Sequence, residues 1–252
     1  MNLDRIIAVR TDKTIYRDGD KCLKVFVGGR PASEIYREAM NQSIFCEKGF
    51  RTPMALEVTC IDGKWAIVSE FVRGKTLAML MAEHPERRSE YLSEFVRIHH
   101  SIHAETSTSL HNLKKSLSEC VDTLPLELVM RNELRLRIDA MPDSTHMCHG
   151  DFDPSNIIVT VSGEMYITDC PLAVSGAPEF DCAVTYHKLS LNYDGYAEEY
   201  LNLFCQSNEK LRAFVEYLSP VAAASMLGRS NKEKRRRLIE TIKQQLSLKE
   251  QD

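Results

Sequence analysis

Three side chains within one short stretch, CHGDFDPSNIIVTVSGEMYITD at 148–169, have types that suit phosphate chemistry. Asn156 and Asp169 are hard oxygen donors, and Asp151 precedes Asn156 by five residues in a polar loop. Val161-Ser162-Gly163-Glu164 reads as a tight turn between strand-like arms at 157–161 and 165–168. With Ser162-Gly163 as a two-residue loop, Asn156 faces Asp169 across the open end of the hairpin, at about 4.5–5.5 Å between Cα atoms. Oxygen ligands converging beside a polar loop suit magnesium, which takes one or two protein carboxylates and keeps its other positions for phosphate and water. The Asp151 carboxylate could then accept a proton from, or orient, a hydroxyl beside that phosphate. An ordinary turn rich in Asp, Pro and Asn explains the composition, but it leaves the placement of all three residues to coincidence.

Such groups need a scaffold, and the patterning supplies one. Ile6, Ile7 and Val9 begin an extended region, and IYRDGDKCLKVF reads as a hairpin with its turn at Asp18-Gly19. Ser33 reads as the N-cap of a helix running to about Lys48, ended by Gly49 and kept from resuming by Pro53. LEVTC at 56–60 and KWAIVSEF at 64–71 are further strands. After Arg73-Gly74 the period becomes helical, with Leu92, Phe95, Val96, His99, Ile102 and His103 forming one stripe. The expected architecture is α+β and two-lobed: residues 1–71 a small β-rich lobe with one helix, and 72–252 a larger, mainly helical lobe. One strand pair, at 157–168, interrupts the second lobe.

Composition narrows the function classes. The 252 residues carry 32 Lys and Arg against 36 Asp and Glu, so no overall basic character points to nucleic acid. The one basic run, KEKRRR at 232–237, reads as a solvated helix face. No apolar stretch reaches membrane-span length, and the first ten residues do not read as a secretory signal. Eight scattered cysteines without a CxxC pair read as reduced thiols, and a cytoplasmic location is expected. His99 and His103 stand four apart and could hold a metal, but with no third ligand evident they read as core histidines.

HGDFDPSN at 149–156 resembles the HGDxxxxN motif of aminoglycoside phosphotransferases, choline kinases and related small-molecule kinases, including bacterial aminoglycoside phosphotransferase-like proteins. The Asp-x4-Asn spacing followed by a later Asp is that of kinase catalytic loops. The resemblance runs in order through KCLKVF (21–26), REA (37–39), GKWAIVSEFVRGKTL (63–77), IHAE (102–105) and APEFDCA (177–183). It implies a protein-kinase-like fold with the nucleotide in the cleft between the lobes.

Residue by residue, the resemblance implies Asp151 as catalytic base or orienting carboxylate, with His149 propping the same loop. Asn156 serves the catalytic loop and, with Asp169, holds magnesium. Lys24 holds the α- and β-phosphates, positioned by an ion pair with Glu38. A plain surface lysine is the alternative for Lys24, although it shares a strand face with Cys22 and Phe26. Glu34 competes with Glu38 on one helix face, and the REA register favours Glu38. Backbone groups near Glu70 and Val72 bind adenine, and Asp181 braces the loop.

The implied activity is magnesium-dependent transfer of a γ-phosphate from ATP, or GTP, to a hydroxyl of a small molecule, with antibiotic resistance as one role. A non-catalytic nucleotide-binding kinase-like module is the alternative. It is motivated by VRTDKTIY at 9–16, which has no glycine where a phosphate-covering turn should fall, near Arg10–Thr14. A protein acceptor is a weaker third reading. Cys170 and Pro171 follow Asp169 where the family usually has an aromatic residue. For the acceptor, Glu179, Asp194, Glu198 and Glu199 could meet a polycation, and Tyr186, Tyr193, Tyr196 and Tyr200 a choline-type cage. No nucleic-acid or membrane partner is expected, and the oligomeric state stays open.

Overall fold

The computed structural model describes residues 5–246. Its first strands are β1 (Arg5–Val9), β2 (Lys13–Asp18) and β3 (Lys21–Phe26), followed by helix α1 (Ala32–Glu47). Then come β4 (Ala55–Ile61), β5 (Lys64–Glu70), β6 (Gly74–Thr76) and α2 (Leu77–Glu83). The middle of the chain holds α3 (Arg88–Ala104), β7 (His111–Asn112), α4 (Leu113–Thr123), α5 (Leu128–Asp139) and β8 (Met147–Cys148). A hairpin of β9 (Ile157–Thr160) and β10 (Met165–Ile167) follows, then β11 (Val174–Ser175). Helices α6 (Pro178–Asn192), α7 (Tyr196–Cys205), α8 (Glu209–Ser225) and α9 (Lys232–Gln245) complete the described chain.

The chain folds as two compact units: Met1–Arg87 with Pro154–Leu172, and Arg88–Asp153 with Ala173–Asp252. The first is built on an antiparallel sheet and the second is mainly helical, which matches the expected α+β, kinase-like class. By contacts the division falls at Arg88, and the β9–β10 hairpin goes with the first unit. The cause is β6, which pairs antiparallel with β9, Gly74 against Thr160 and Thr76 against Ile158. A Cβ at Gly74 would lie 2.3 Å from the Val159 carbonyl oxygen, so the approach requires glycine.

In the first unit the sheet order is β1-β2-β3-β5-β4. Alternation puts Leu23, Val25, Ala66 and Val68 in one cluster. Phe26 and Ile67 pack on the other face with Ile35 and Ala39 of α1. Lys24 opposes Ile67, and Lys13 opposes Phe26. Both lysines therefore stand on the α1 face. The β2–β3 register places the loop at Gly19-Asp20, one residue beyond the expected turn, with Gly19 at φ 61°. The N-cap of α1 is Pro31 rather than Ser33: the Glu34 N–H donates to the Pro31 carbonyl at 3.1 Å.

The hairpin register also differs from expectation. Ile157 pairs with Ile167, and the Thr168 N–H donates to the Asn156 carbonyl at 2.9 Å. The loop is Val161-Ser162-Gly163, three residues long, with the Gly163 N–H donating to the Thr160 carbonyl at 3.0 Å and Gly163 at φ 83°. That is a turn followed by a left-handed residue. The extra loop residue sets Thr168, not Asp169, against Asn156. A one-residue slip alone would turn a side chain to the opposite face. Asp169 leaves the strand instead, in a left-handed conformation at φ 64° that Asp tolerates better than most residues.

In the second unit, β8 and β11 pair antiparallel and β7 joins β11 in parallel. Phe95 of α3 stacks on Phe152 with ring centroids 4.3 Å apart, and both are fully buried. All eight cysteines are free thiols. The run at 232–237 opens α9 with Lys232, Arg235, Arg236 and Arg237 exposed, as a solvated face should. Among the described residues no helix is long and apolar enough to cross a membrane.

Candidate active site

The candidate residues of the first unit meet in a buried ion network. Lys24 Nζ donates to Glu38 Oε1 at 2.5 Å and to Asp169 Oδ1 at 2.9 Å. Glu38 is 2% exposed, and the Lys24 side chain 13%. Glu34 instead pairs with Arg30 at 3.2 Å, which separates the two helix carboxylates that sequence left in competition. Burial disfavours the Lys24 ammonium, but Asp169 and Glu38 outweigh it and raise its pKa. Burial likewise works against the Asp169 carboxylate, and Lys24 with Lys13 overcomes it, holding the acid well below its ordinary range. Asp169 is therefore a permanent carboxylate in a place already built to hold positive charge.

Lys13 was not among the residues singled out from sequence. Its Nζ donates to both Asp169 oxygens, at 2.7 and 2.8 Å. The β10 end that carries Asp169 is anchored within this unit: the Ile167 N–H donates to the Arg51 carbonyl at 2.8 Å, and Asn41 Nδ2 to the Cys170 carbonyl at 3.0 Å. Asn156 is buried in the same unit. A carboxylate and an amide oxygen are the hard donors magnesium prefers, so the donor set fits that ion. At the end of β5 the Glu70 N–H donates to the Met54 carbonyl (3.1 Å) and the Phe71 N–H to the Asp20 carbonyl (2.9 Å).

The second unit holds the loop with Asp151. Asp181, fully buried on α6, accepts the His149 N–H at 2.7 Å on Oδ2 and the Gly150 N–H at 2.8 Å on Oδ1. Gly150 sits at φ 73°, a left-handed position that explains glycine at the centre of the motif. His149 Nδ1 accepts the Asp151 N–H at 3.3 Å, so this ring props the loop from within. Lys188 of α6 donates to Asp151 Oδ1 at 2.6 Å and lies 3.8 Å from Asp153 Oδ2. The Tyr193 hydroxyl donates to Asp153 at 2.9 Å. Lys188 lies thirty-seven residues beyond Asp151, and no local spacing announces it.

His99 and His103 do have a third partner, because Nε2 of each donates to Asp181 Oδ2, at 3.0 and 3.1 Å. With the two backbone donors, four N–H groups meet on this carboxylate, so the cluster braces the loop. Burial alone would raise the Asp181 pKa, but the donors from His103 and His99 hold it well below the usual range. Burial, then the neighbouring His103, lowers His99 to about 3. His99 is thus a neutral ring whose Nδ1 accepts from the Tyr200 hydroxyl at 2.8 Å.

An unfolded histidine titrates near ~6.5, so below that value the unfolded chain binds a proton that folded His99 refuses. Stability therefore falls with pH through this window, by up to about 1.4 kcal/mol per pH unit per proton. His100 and His187, also lowered by burial, act in the same direction. The Asp181 contribution is complete above its unfolded value, about 3.9, and fades only below it. Urea unfolding at a series of pH values should show stability declining from about pH 6.5 to 4.5. His99→Gln should remove about one proton's worth of that slope, and a flat wild-type profile would contradict the assignment.

The acceptor candidates are largely spent inside the second unit. Glu198 pairs with Arg212 at 3.0 Å and accepts from the Tyr186 hydroxyl, while Glu199 pairs with Arg88 at 2.7 Å. Arg88 also lies over the Tyr196 ring at 4.2 Å, and Tyr200 is fully buried. The four tyrosines therefore form no open cage, and two of the four acids already have cations.

A sequence model of the phosphotransferase enzyme family matches residues 8–215. No curated protein matches the chain. The fold is similar to that of aminoglycoside phosphotransferase APH(4)-Ia, with a TM-score of 0.75 at 14% identity over 96% of this chain and 92% of that one. A thermostable mutant of the same enzyme, in ternary complex with AMP-PNP and hygromycin B, gives a TM-score of 0.73 at 13% identity, covering 98% and 94%. Choline kinase LicA from Streptococcus pneumoniae gives 0.62 at 15% identity, covering 98% and 94%.

Proposed function

Because the chain belongs to the phosphotransferase enzyme family, we propose that it transfers the γ-phosphate of ATP, or of GTP, to a hydroxyl group of a small molecule. The observation that carries this reading is the buried Lys24–Glu38–Asp169 network, in which one carboxylate positions a cation and the other stays ionised. Solved relatives of the fold bind AMP-PNP or ADP together with hygromycin B, which supports a nucleotide donor and a small acceptor.

In this reading Lys24 holds the α- and β-phosphates, and Glu38 keeps its ammonium in place. Asp169 and Asn156 would hold magnesium, which when bound neutralises charge on the phosphate oxygens. Backbone groups at Glu70 and Val72 receive the adenine. Asp151 orients the acceptor hydroxyl and takes its proton, with Lys188 and His149 fixing the carboxylate and its loop. Phosphoryl transfer has a loose transition state, so positioning and charge supply most of the catalysis.

The nucleotide half is tested by thermal unfolding with AMP-PNP or its guanosine counterpart, with magnesium or with EDTA. A ligand at one hundred times its Kd stabilises by about 2.7 kcal/mol. Stabilisation should require the metal, and Asp169→Asn should blunt that requirement. Equal stabilisation with and without metal in both proteins would leave Asn156 and Asp169 a polar strand end.

A further inference from the structure

We propose that Lys13 is a second phosphate-binding cation, which holds Asp169 in the nucleotide-free protein and passes to the phosphate chain when the metal–nucleotide complex takes over that carboxylate. The inference rests on the phosphotransferase reading above and deepens it by assigning a residue outside the HGDxxxxN motif.

Four observations converge on it. Lys13 is only 7% exposed, and lysine is almost never buried without a charge partner. Among the described residues its partner is Asp169, held through both oxygens at 2.7 and 2.8 Å. Lys24 differs, because it also has Glu38. Any cation that claims Asp169 therefore leaves Lys24 paired and Lys13 bereft. A buried ammonium cannot stay unpaired, and the anion that arrives with such a cation is the phosphate chain.

The third observation is placement. Lys13 begins β2 directly after the β1–β2 turn, and it shares the α1 face of the sheet with Lys24. The turn itself is the fourth. It contains no glycine, and its Arg10 N–H is committed to the Lys13 carbonyl at 2.8 Å. The Asp12 carbonyl accepts from the Val27 N–H at 2.9 Å, and its carboxylate pairs with Arg30 at 3.2 Å. A turn without glycine, with its first amide committed and its Asp12 pinned by Val27 and Arg30, is poorly shaped for the close backbone approach of a phosphate nest. A side-chain ammonium at the end of the turn supplies the missing positive charge.

The test is calorimetric titration of the full chain with AMP-PNP plus magnesium, and separately with adenosine. Lys13→Met should weaken AMP-PNP about tenfold or more, as loss of a charge-assisted contact does. It should leave adenosine within about twofold, and Lys13→Arg should restore most of the AMP-PNP affinity. If Lys13 were only a lock on Asp169, Lys13→Met would tighten AMP-PNP binding. If it were only structural, AMP-PNP and adenosine would weaken together or neither would change, and either result overturns the proposal. Should Lys13→Met fail to fold, Lys13→Gln keeps a donor for Asp169 and carries the same comparison. If the wild type binds neither AMP-PNP nor, in the same titration, its guanosine counterpart, the phosphotransferase reading falls and this proposal with it. Wild-type binding that Lys13→Met leaves untouched overturns the Lys13 role alone.

Discussion

Asp151→Asn is expected to slow phosphate transfer by about 10²–10⁴-fold, the usual effect of losing a positioned acid–base group, while magnesium–nucleotide affinity stays near that of the wild type. The amide matches the carboxylate in size and can still accept from Lys188, which lies 2.6 Å from Asp151 Oδ1. It cannot take a proton from an acceptor hydroxyl. The loop should keep its shape, because its backbone is held by Asp181 through the His149 and Gly150 N–H groups. Single-turnover transfer and calorimetric nucleotide binding, measured on the same preparations, separate the two effects. Transfer within about threefold of wild type would remove Asp151 from the chemistry.

Lys24→Met should have the largest effect on stability. It leaves the Glu38 carboxyl at 2% exposure without its cation and removes one of the two cations on Asp169. Breaking a buried pair from one side costs about 3–5 kcal/mol, because the remaining charge is stranded. Nucleotide-dependent stabilisation should be lost as well. The two consequences can be separated by adding Glu38→Leu. Replacing the whole pair with apolar side chains should recover much of the stability, while nucleotide binding stays lost. A double variant no more stable than Lys24→Met would show that the ion pair is not the source of the loss.

What could be read from sequence depended on how local each determinant was. The positions of Asp151 and Asn156 in one loop, of Lys24 on a strand face and of Glu38 on one helix turn were legible because a short motif or a local period fixes each. The aim of Asp169 was not, because it depends on a three-residue loop and a left-handed backbone that the Ser162-Gly163 pair does not announce. Lys13 could have been found: the expected Asp18-Gly19 turn already sets it against Lys24, and the observed register keeps it on the same face, opposite Phe26. Lys188 could not, since only the packing of α6 brings it to Asp151. The i, i+4 pair His99 and His103 was visible, but its shared acid lies about eighty residues away in sequence. The pairing that ties the β9–β10 hairpin to β6 was hidden for a similar reason. It joins the three-residue strand β6 to β9 across more than eighty residues of chain.

Transfer of the γ-phosphate itself is the most direct measurement. Wild-type chain and Asp151→Asn would be incubated with magnesium and γ-³²P-labelled ATP, then GTP, against a panel of aminoglycosides, amino alcohols and sugars, and the label followed into organic products. The expected result is label on at least one hydroxyl compound with the wild type, dependent on magnesium and nearly absent with Asp151→Asn. No acceptor-dependent label from either nucleotide, under conditions where the wild type binds the magnesium–nucleotide complex, would contradict it and leave a nucleotide-binding module without turnover.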